Sequence, residues 1–323
     1  MPSWTHLIRF EAVEDGYVHL GQLVDTTRDF GLDTVDGISI QAFRINGDIY
    51  NGTVTNQKLT VHKASLLVIL SRTSNDLNNP QLLAPISQSQ CNYIRCLGLN
   101  YTDHAKEAKM QLPKAPILFT KPCTALANPY PSATVIPKCA QDGTSDYEAE
   151  LCVVVGRTVE TSKSPKLLIT FLATQLPTMF RRGRCSFSRR SGAYPKAWMR
   201  AVPLVGYMLA SSVPAPGADN TYRSCSGRAQ HHQQSSELAY RAVYNGQTVQ
   251  DGNTRDIVFT IREQIAYFSK GTTLQAGSLI LTGTPAGIGY FREPQVVLRD
   301  GDDIRIHIGG IGTLINKVLY DVM

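Results

Sequence analysis

A histidine and a glutamate lie three residues apart in the segment 100–107. On a helix, His104 and Glu107 share a face, so their side chains meet. A carboxylate beside an imidazole fixes the imidazole tautomer and raises its basicity, as a water-activating base requires. The pair therefore predicts a general base. An ordinary ion pair on a surface helix would have the same spacing.

Two further glutamates, Glu148 and Glu150, are separated by a single alanine. On a strand their side chains point to one side, while Ala149 and Leu151 point to the other. Two carboxylates one pleat apart repel each other unless a cation lies between them, and oxygen ligands of this kind suit Mg²⁺, Mn²⁺ or Ca²⁺. The pair predicts a divalent-metal site. The alternative is a half-exposed strand with a polar outer face.

Glycines are frequent at residues 281–289, where an apolar strand leads into a turn. The amides of such a turn, including that of Gly283, together with the hydroxyl of Thr284, can hold a substrate carboxylate. The alternative is a tight turn that binds nothing. By itself this pattern indicates an anion site only weakly.

Short strands and few helices must position these groups. Alternation over 39–45, followed by turn residues, predicts a small β-rich N-terminal domain at 1–74. Asn and Pro residues predict a linker at 75–90. The remainder, 91–323, predicts an α+β domain of mostly antiparallel strands. Helices are predicted at 100–110, with Thr102 or Asp103 as N-cap, and at 257–270. Strands are predicted at 93–99, 117–119, 150–156, 279–281, 304–308 and 314–318.

The positive charge of the chain is concentrated in one stretch. Nine Lys or Arg and one acid at 167–235 account for more than the net charge of +6. A basic face with interleaved aromatics is absent, so we expect no nucleic-acid partner. There is no apolar run of about 18 residues and no signal-peptide layout, so we expect no membrane span and a cytoplasmic location. Seven cysteines without zinc or redox spacing predict reduced thiols.

In this order and spacing, the motifs resemble the fumarylacetoacetate hydrolase family. The matching text is CLGLNYTDH at 96–104, LFTKP at 118–122, DYEAEL at 146–151, NGQ at 245–247, QD at 250–251, TGTPAGIG at 282–289, DGD at 300–302 and GIGTL at 310–314. The resemblance covers residues 91–160 and 240–320, and the combination of motifs is highly specific.

The resemblance implies a mixed β-roll catalytic domain, usually dimeric. It implies Mg²⁺ or Mn²⁺ held by Glu148, Glu150 and a third carboxylate, with His104 and Glu107 as a water-activating dyad. Residues implied to face the substrate are Tyr101, Lys121, Gly283 and Thr284. The family cleaves or decarboxylates diketo and 2-oxo acids, and its metal stabilises the enolate formed when the C–C bond breaks.

The stretch 167–235 departs from the family pattern. It has no clean period and predicts loop or disorder, and it lacks the family segments like NDVSAR and SKGLD, which carry the third metal ligand and a lysine. Codon degeneracy allows 177–183 to encode NDVSAR one base out of frame. In the same frame, 167–175 can encode ADYVLGYT and 192–204 can encode GLSKGLDESCPL. We interpret 167–204 as an out-of-frame family segment. The alternative is a lineage-specific basic loop.

The predicted function is a metal-dependent hydrolase that cleaves a C–C bond in a small diketo or 2-oxo acid, such as an acylpyruvate or fumarylacetoacetate. Decarboxylation of an oxaloacetate-type substrate is the alternative within the same site, because it needs the same chelation but no water. The second alternative is a degenerate, non-catalytic relative. A homodimer is expected from the resemblance.

Overall fold

The computed structural model describes residues 3–61, 82–160 and 237–322, and the backbone alone of 167–175, 178–179 and 202–213. Three short α-helices accompany the strands in this part of the chain: α1 (Phe30–Val35), α2 (Thr102–Glu107) and α3 (Ile261–Phe268). The strands are β1 (His6–Glu11), β2 (Val18–Leu23), β3 (Gln41–Asn46), β4 (Thr53–Thr60), β5 (Leu82–Leu83), β6 (Tyr93–Gly98), β7 (Ile117–Lys121), β8 (Leu126–Ala127), β9 (Thr134–Ile136), β10 (Ser145–Asp146), β11 (Ala149–Val155), β12 (Leu167–Gln175), β13 (Thr178–Met179), β14 (Val202–Val213), β15 (Ala239–Tyr244), β16 (Gln247–Asn253), β17 (Ser278–Leu281), β18 (Asp303–Ile308) and β19 (Gly312–Tyr320).

Two sheets dominate the described part of the fold. The larger follows the order β4-β3-β2-β1-β14-β12-β11-β17-β6-β7, with β5 beside β1 and β8 beside β14. The smaller follows the order β16-β15-β18-β19-β9. Most neighbours are antiparallel, but β17 runs parallel to β6, β9 runs parallel to β19 and β8 runs parallel to β14. The carboxyl ends of β6 and β17 therefore lie side by side, where α2 and the glycine-rich turn begin.

The main core lies between the two sheets. Leu151 and Val153 of β11 share one buried cluster with Ile306 of β18 and Leu314 of β19. Cys152 of the same strand belongs to a second cluster on the opposite face of the large sheet. Because successive side chains of a strand alternate between faces, β11 is apolar on both sides and fully buried. This rigid strand directly follows Glu148.

The N-terminal strands extend the large sheet. β1 pairs with β14, and β5, which lies within the predicted linker 75–90, pairs with β1. Asp29, the N-cap of α1, accepts hydrogen bonds from the backbone N–H of Thr313 (3.0 Å) and from its hydroxyl (2.5 Å). The oxygen that accepts from the hydroxyl, Oδ2, also lies 3.2 Å from Nδ1 of His307. The division into domains at 1–74, 75–90 and 91–323 stays a prediction.

The helix α2 is shorter than predicted, and its predicted cap is wrong. Its N-cap is Tyr101, without a side-chain hydrogen bond, because Asp103 accepts from the N–H groups of His104 and Ala286 instead. Lys109 has φ of 54° and ends the helix, and Met110 N–H returns to the carbonyl of Ala105. This is the arrangement of a left-handed helix stop.

The helix α3 begins four residues later than predicted. Thr260 and Glu263 form a reciprocal capping box at its start. The N–H of Val258, within the predicted helix, donates to the carbonyl of Asn100 and not to a carbonyl of the helix. The preceding residues are therefore held by the strand-to-α2 turn and cannot join the helix.

Three strands fall inside the stretch 167–235, for which patterning predicted no regular element. β12 pairs along β11, and β14 pairs with both β12 and β1. Strands pair through their backbone N–H and C=O groups. They can therefore form without the alternation of apolar and polar side chains on which the sequence prediction relied. The remaining residues of this stretch lie outside the described ranges.

No helix in the described ranges is long and apolar enough to cross a membrane. The cysteines in those ranges are free thiols, as predicted: Cys91, Cys96, Cys123, Cys139 and Cys152. Cys123 is half-buried and Cys139 is exposed, whereas the other three are buried.

Candidate active site

A strained turn joins β6 to the dyad helix α2. Leu99 has φ of 55°, a left-handed conformation that side chains other than glycine rarely adopt. Asn100 follows, donating from Nδ2 to the carbonyl of Thr282 (2.7 Å) and accepting from the N–H of Phe259 (2.9 Å). Strained residues of this kind persist where the surroundings hold them, often at functional sites. The turn delivers His104 to the carboxyl end of β17.

The predicted dyad is formed. His104 Nδ1 lies 3.0 Å from Oε2 of Glu107, and the histidine is only 8% exposed. The other oxygen of Glu107 accepts from the N–H of Gly287 at 2.8 Å. Because Nδ1 faces a carboxylate, the neutral imidazole carries its proton there and leaves Nε2 as the basic nitrogen. His104 is buried and Glu107 is half-buried, so the pair does not lie on an exposed helix face, and its catalytic role stays a prediction.

Glu148 and Glu150 are both buried, at 2% and 1% exposure, so the alternative of a half-exposed polar face is wrong. β11 begins at Ala149, and Glu148 immediately precedes it. Ala149 belongs to the cluster between the sheets, which directs its two acidic neighbours to the opposite side. Glu150 Oε2 accepts from the N–H of Gly283 at 2.8 Å.

Four carboxylates hold the glycine-rich turn at residues 282–290, which we term the pinned loop. Glu150 accepts from Gly283, and Asp103 accepts from Ala286 at 3.1 Å. The remaining amides in this set belong to Gly287, bound by Glu107, and to Gly289 and Tyr290, bound by Asp146. These amides all lie within residues 283–290, so Glu150 and the His104–Glu107 pair are both attached to one short loop.

Asp146 was not among the predicted site residues, although it lies in the quoted motif at 146–151. Burial raises its pKa to about 7, against the lowering effect of N–H donors from Tyr290, Tyr147 and Gly289. Gln250 was also missed. It is buried and bonds both to Ala149 and to the pinned loop. Only the motif text signalled these two residues, and their contacts were not predictable from it.

The chain that follows α2 is much less restrained. We term residues 110–118 the exposed segment. Met110 is 58% exposed and Leu112 is 49% exposed, and Ile117 and Leu118 are also exposed. In the described part of the chain, residues 111–115 make no hydrogen bond to another residue. The ring of Phe291 lies 6.0 Å from the imidazole of His104, measured between centroids.

Two residues predicted to face the substrate are buried, and one of them lies at the end of β7 that is remote from α2. Tyr101 is fully buried, and its ring meets Tyr240 edge-to-face with centroids 5.9 Å apart. Burial raises the pKa of its phenol. Lys121 is also buried, opposite Ile94 at the far end of β7. At about 3.3 Å per residue, its backbone lies about 13 Å along the strand from the end that meets α2. Their substrate contacts stay predictions.

The carboxylate pair fits part of a divalent-metal site. Among the described residues, no three His, Cys, Asp or Glu side chains converge to hold an ion. Mg²⁺ is commonly held by one or two carboxylates, with waters and substrate oxygens completing its octahedron. Burying two like charges is costly unless a cation compensates them. Glu148 and Glu150 would therefore supply two ligands.

The family model for the fumarylacetoacetate (FAA) hydrolase C-terminal domain matches residues 93–168 and 210–319. The chain belongs to the fumarylacetoacetate hydrolase family. Enzymes of this family generally use a divalent metal. Residues 169–209, between the matched parts, fall almost wholly within the segment 167–204 that we interpret as out of frame. That interpretation stays a prediction.

Relatives in the family carry different activities in their names. The chain is 33% identical over 324 residues to a caffeoylpyruvate hydrolase of Neonothopanus nambi, covering 98% of this chain and 93% of the relative. It is 34% identical over 237 residues to a mitochondrial oxaloacetate tautomerase of Homo sapiens, covering 73% of this chain and 69% of the relative. These similarities indicate an enzyme, and it is the relatives that act on small keto acids.

The solved structure of a 2-hydroxyhepta-2,4-diene-1,7-dioate isomerase from Mycobacterium marinum has the same fold. Its TM-score is 0.68 at 21% identity, and the superposition covers 99% of this chain and 100% of that one. At this identity the likeness concerns the fold alone. Together with the strand-rich architecture and few helices, it confirms the predicted α+β class with the fold of the family.

Proposed function

We propose that the protein is a metal-dependent hydrolase that cleaves the C–C bond between the acyl and pyruvyl parts of an acylpyruvate. The observation that carries this proposal is the attachment of the His104–Glu107 dyad and Glu150 to one pinned loop. The attachment supports the proposal because the residue that would activate water and a carboxylate that would bind the metal contact the same loop. The relative named caffeoylpyruvate hydrolase, which matches nearly the whole chain, supports an acylpyruvate substrate.

The dyad supplies the proton transfer in this proposal. Nε2 of His104 accepts a proton from water, whose oxygen attacks the acyl carbonyl carbon. Glu107 holds the imidazole through Nδ1 and balances the positive charge that forms on it. The bond between the acyl carbon and the pyruvyl methylene then breaks. Protonation of the methylene yields pyruvate, and the acyl part leaves as a carboxylic acid.

Glu148 and Glu150 would hold Mg²⁺, Mn²⁺ or Ca²⁺. When bound, the cation supplies positive charge beside the 2-oxo and carboxylate oxygens of the substrate. The hydroxyl of Thr284 would hold an anionic oxygen nearby, whereas the amide of Gly283, predicted to face the substrate, donates to Glu150. Phe291, beside the imidazole, offers an apolar face to the acyl group.

The test is product analysis with purified protein and MgCl₂. Caffeoylpyruvate and a short-chain acylpyruvate are each incubated with the protein, and products are separated by chromatography. Equal amounts of pyruvate and the matching carboxylic acid are expected. The His104→Asn variant serves as the control for background hydrolysis. If the wild-type protein releases no more pyruvate than this variant, the hydrolase proposal is rejected.

Chemistry on oxaloacetate is the second candidate, favoured by the named oxaloacetate tautomerase. Interconversion of its keto and enol forms removes a proton from the carbon between the carbonyls and adds one to the carbonyl oxygen, and His104 would be the base at that carbon. Decarboxylation needs the same chelation without attacking water. Three outcomes separate these activities: pyruvate plus carboxylic acid, pyruvate plus CO₂, or a change in enol absorbance without pyruvate.

We also propose that residues 167–204 are encoded one base out of frame. The family model is interrupted at this place, and the described residues offer two carboxylates instead of three metal ligands. Sequencing of the transcript across codons 160–240 tests this. A nucleotide sequence whose shifted frame does not encode the family segments rejects it.

The same segment decides between an enzyme and a non-catalytic relative. If the stretch is translated as given, a site with two carboxylates binds Mg²⁺ more weakly. A rise in melting temperature with MgCl₂ is expected for an active protein, because ligands that bind the folded state stabilise it. No rise would support a non-catalytic relative. The cytoplasmic location and the homodimer remain predictions.

A further inference from the structure

Gln250 connects the metal-binding strand to the pinned loop. Its side chain is buried at 1% exposure. Oε1 accepts from the N–H of Ala149 at 2.9 Å, between the two site glutamates. Nε2 donates to the hydroxyl oxygen of Thr284 at 2.8 Å and to the carbonyl of Pro285 at 3.0 Å. One amide therefore reaches both halves of the proposed site.

The orientation of this amide is fixed by its partners. The N–H of Ala149 can only donate, so the atom that faces it must be the amide oxygen. The carbonyl of Pro285 can only accept, so the atom that faces it must be the nitrogen. Both observations give the same assignment, and an amide flip would break both bonds.

This assignment determines the polarity of the Thr284 hydroxyl. Its oxygen accepts the second Nε2 hydrogen, so its own hydrogen must be donated elsewhere. Thr284 is buried, and no described residue accepts a hydrogen bond from this hydroxyl. A buried O–H without an acceptor is costly, whereas an anionic oxygen would satisfy it.

We infer that Gln250 is a positioning residue that makes the Thr284 hydroxyl an obligate donor to an anionic oxygen of the 2-oxo acid. It does so while holding the backbone between Glu148 and Glu150. This rests on the proposed function for the identity of the ligand. Gln250 does not touch the substrate and acts through Thr284.

The test is a double-mutant cycle in binding, which does not depend on turnover. Affinity for oxalate, a dianion that mimics a 2-oxo acid, is measured by calorimetry in MgCl₂. Thr284→Val removes the hydroxyl, and Gln250→Met removes the amide at similar volume. Each single variant is expected to bind oxalate about tenfold more weakly, the effect of losing a charge-assisted hydrogen bond. The double variant is expected to bind no more weakly than Thr284→Val alone.

Asn316→Leu is the matched control. Asn316 is a buried amide whose Nδ2 donates to the carbonyls of Asn128 and Ser132, away from the pinned loop. It is expected to lower the melting temperature without changing oxalate affinity. Thr284→Ser keeps the hydroxyl and is expected to retain wild-type affinity.

Additive losses in the double variant would overturn the inference, as would a Gln250→Met protein that binds oxalate normally. A wild-type protein that fails to bind oxalate would overturn it too. If the cycle is non-additive but acylpyruvates are not cleaved, the positioning role stands and the hydrolase proposal falls. If acylpyruvates are cleaved and the cycle is additive, the reverse holds.

Discussion

Two regions next to the dyad are held in different ways: the loop that Glu107 contacts, and the segment that follows α2. The pinned loop, residues 282–290, is fixed by carboxylates from two stretches of the chain, 103–107 and 146–150, and by Gln250. The exposed segment, residues 110–118, presents Met110 and Leu112 to solvent, and its residues 111–115 form no hydrogen bond to another described residue. We expect the first to set the chemistry and the second to tolerate different substrates.

The largest expected effect tests the chemical role of the pinned loop. Glu150→Gln keeps an oxygen for the Gly283 amide but removes a charge that would hold the metal. Loss of several kcal/mol of electrostatic stabilisation lowers kcat/KM about 1000-fold. The MgCl₂-dependent rise in melting temperature should disappear as well, measured by scanning fluorimetry. A variant with normal activity would remove Glu150 from the site.

The shape of the pinned loop is tested by two glycine substitutions that share a positive φ. Gly287 has φ of 103°, and a Cβ there would clash with the carbonyl oxygen of Val249. Gly246 has φ of 81° with open space around it. Gly246→Ala should lower the free energy of unfolding by about 1 kcal/mol. Gly287→Ala should lower the free energy of unfolding by about 3 kcal/mol or more, because main-chain atoms must also move.

Denaturant unfolding of both variants measures this difference. Equal destabilisation would mean that the pinned loop yields as easily as an open turn, and the contrast with the exposed segment would lose its basis.

A smaller effect is expected at the attachment of the dyad to the loop. Glu107→Gln keeps the side-chain volume but removes the charge beside His104 Nδ1. We expect kcat to fall about 100-fold, within the usual contribution of general base catalysis. Glu263→Gln, at the exposed capping box of α3, is the control and should leave kcat unchanged. A pH–rate profile identical to wild type would show that Glu107 does not influence the base.

Outside the site, the carboxylate of Asp29 also accepts a hydrogen bond from a backbone amide, that of Thr313. We expect this contact to stabilise the fold. Burial raises the pKa of Asp29, but hydrogen bonds from His307, Thr313 and Leu32 lower it by more, so the pKa lies below that of an ordinary aspartate. A carboxylate whose folded-state pKa is lowered stabilises the protein above its unfolded pKa. That stability is lost as pH falls below about 4.

Asp29→Asn should therefore be less stable than wild type at pH 6 and lose less stability between pH 6 and pH 3. Urea unfolding across this range measures the slope. The control is Asp251→Asn, an exposed aspartate. Parallel slopes for wild type and Asp29→Asn would reject the anchoring role.

The smallest effect is expected in the exposed segment. Replacing Met110 and Leu112 with serine removes apolar surface without breaking a described hydrogen bond. Melting temperature should change little, while KM for caffeoylpyruvate rises a few-fold relative to a short-chain acylpyruvate, by loss of about 25 cal/mol for each Å² of apolar contact. Val13→Ser, at an exposed site elsewhere, is the control. Equal changes in KM for both substrates would show that this segment does not select the acyl group.

Local spacing was sufficient to predict the contact between His104 and Glu107 and the strand β11. The three-residue gap between His104 and Glu107 predicted their contact, and the apolar run after Glu148 predicted β11. Both predictions depend on the repeat of a helix or a strand, which spans only a few residues, so neighbouring residues are enough to make them.

The limits of α2 and the contacts of Gln250 could not be predicted in this way. Asp103 is a good N-cap by type, but the amide of Ala286, far along the chain, binds its carboxylate. Gln250 meets Thr284 and Ala149 across separations of 34 and 101 residues. Such partners are set by the register of distant strands, which no local pattern encodes.

The pinned loop is held through its main-chain amides, which has a consequence for protein engineering. Its path is dictated by acidic residues that belong to other strands and helices. Transplanting residues 282–290 into an unrelated scaffold should therefore yield an unstructured insert. Within this protein, by contrast, the side chain at Ala286 can be exchanged to tailor selectivity, because its amide, and not its methyl group, is what the neighbouring carboxylate binds.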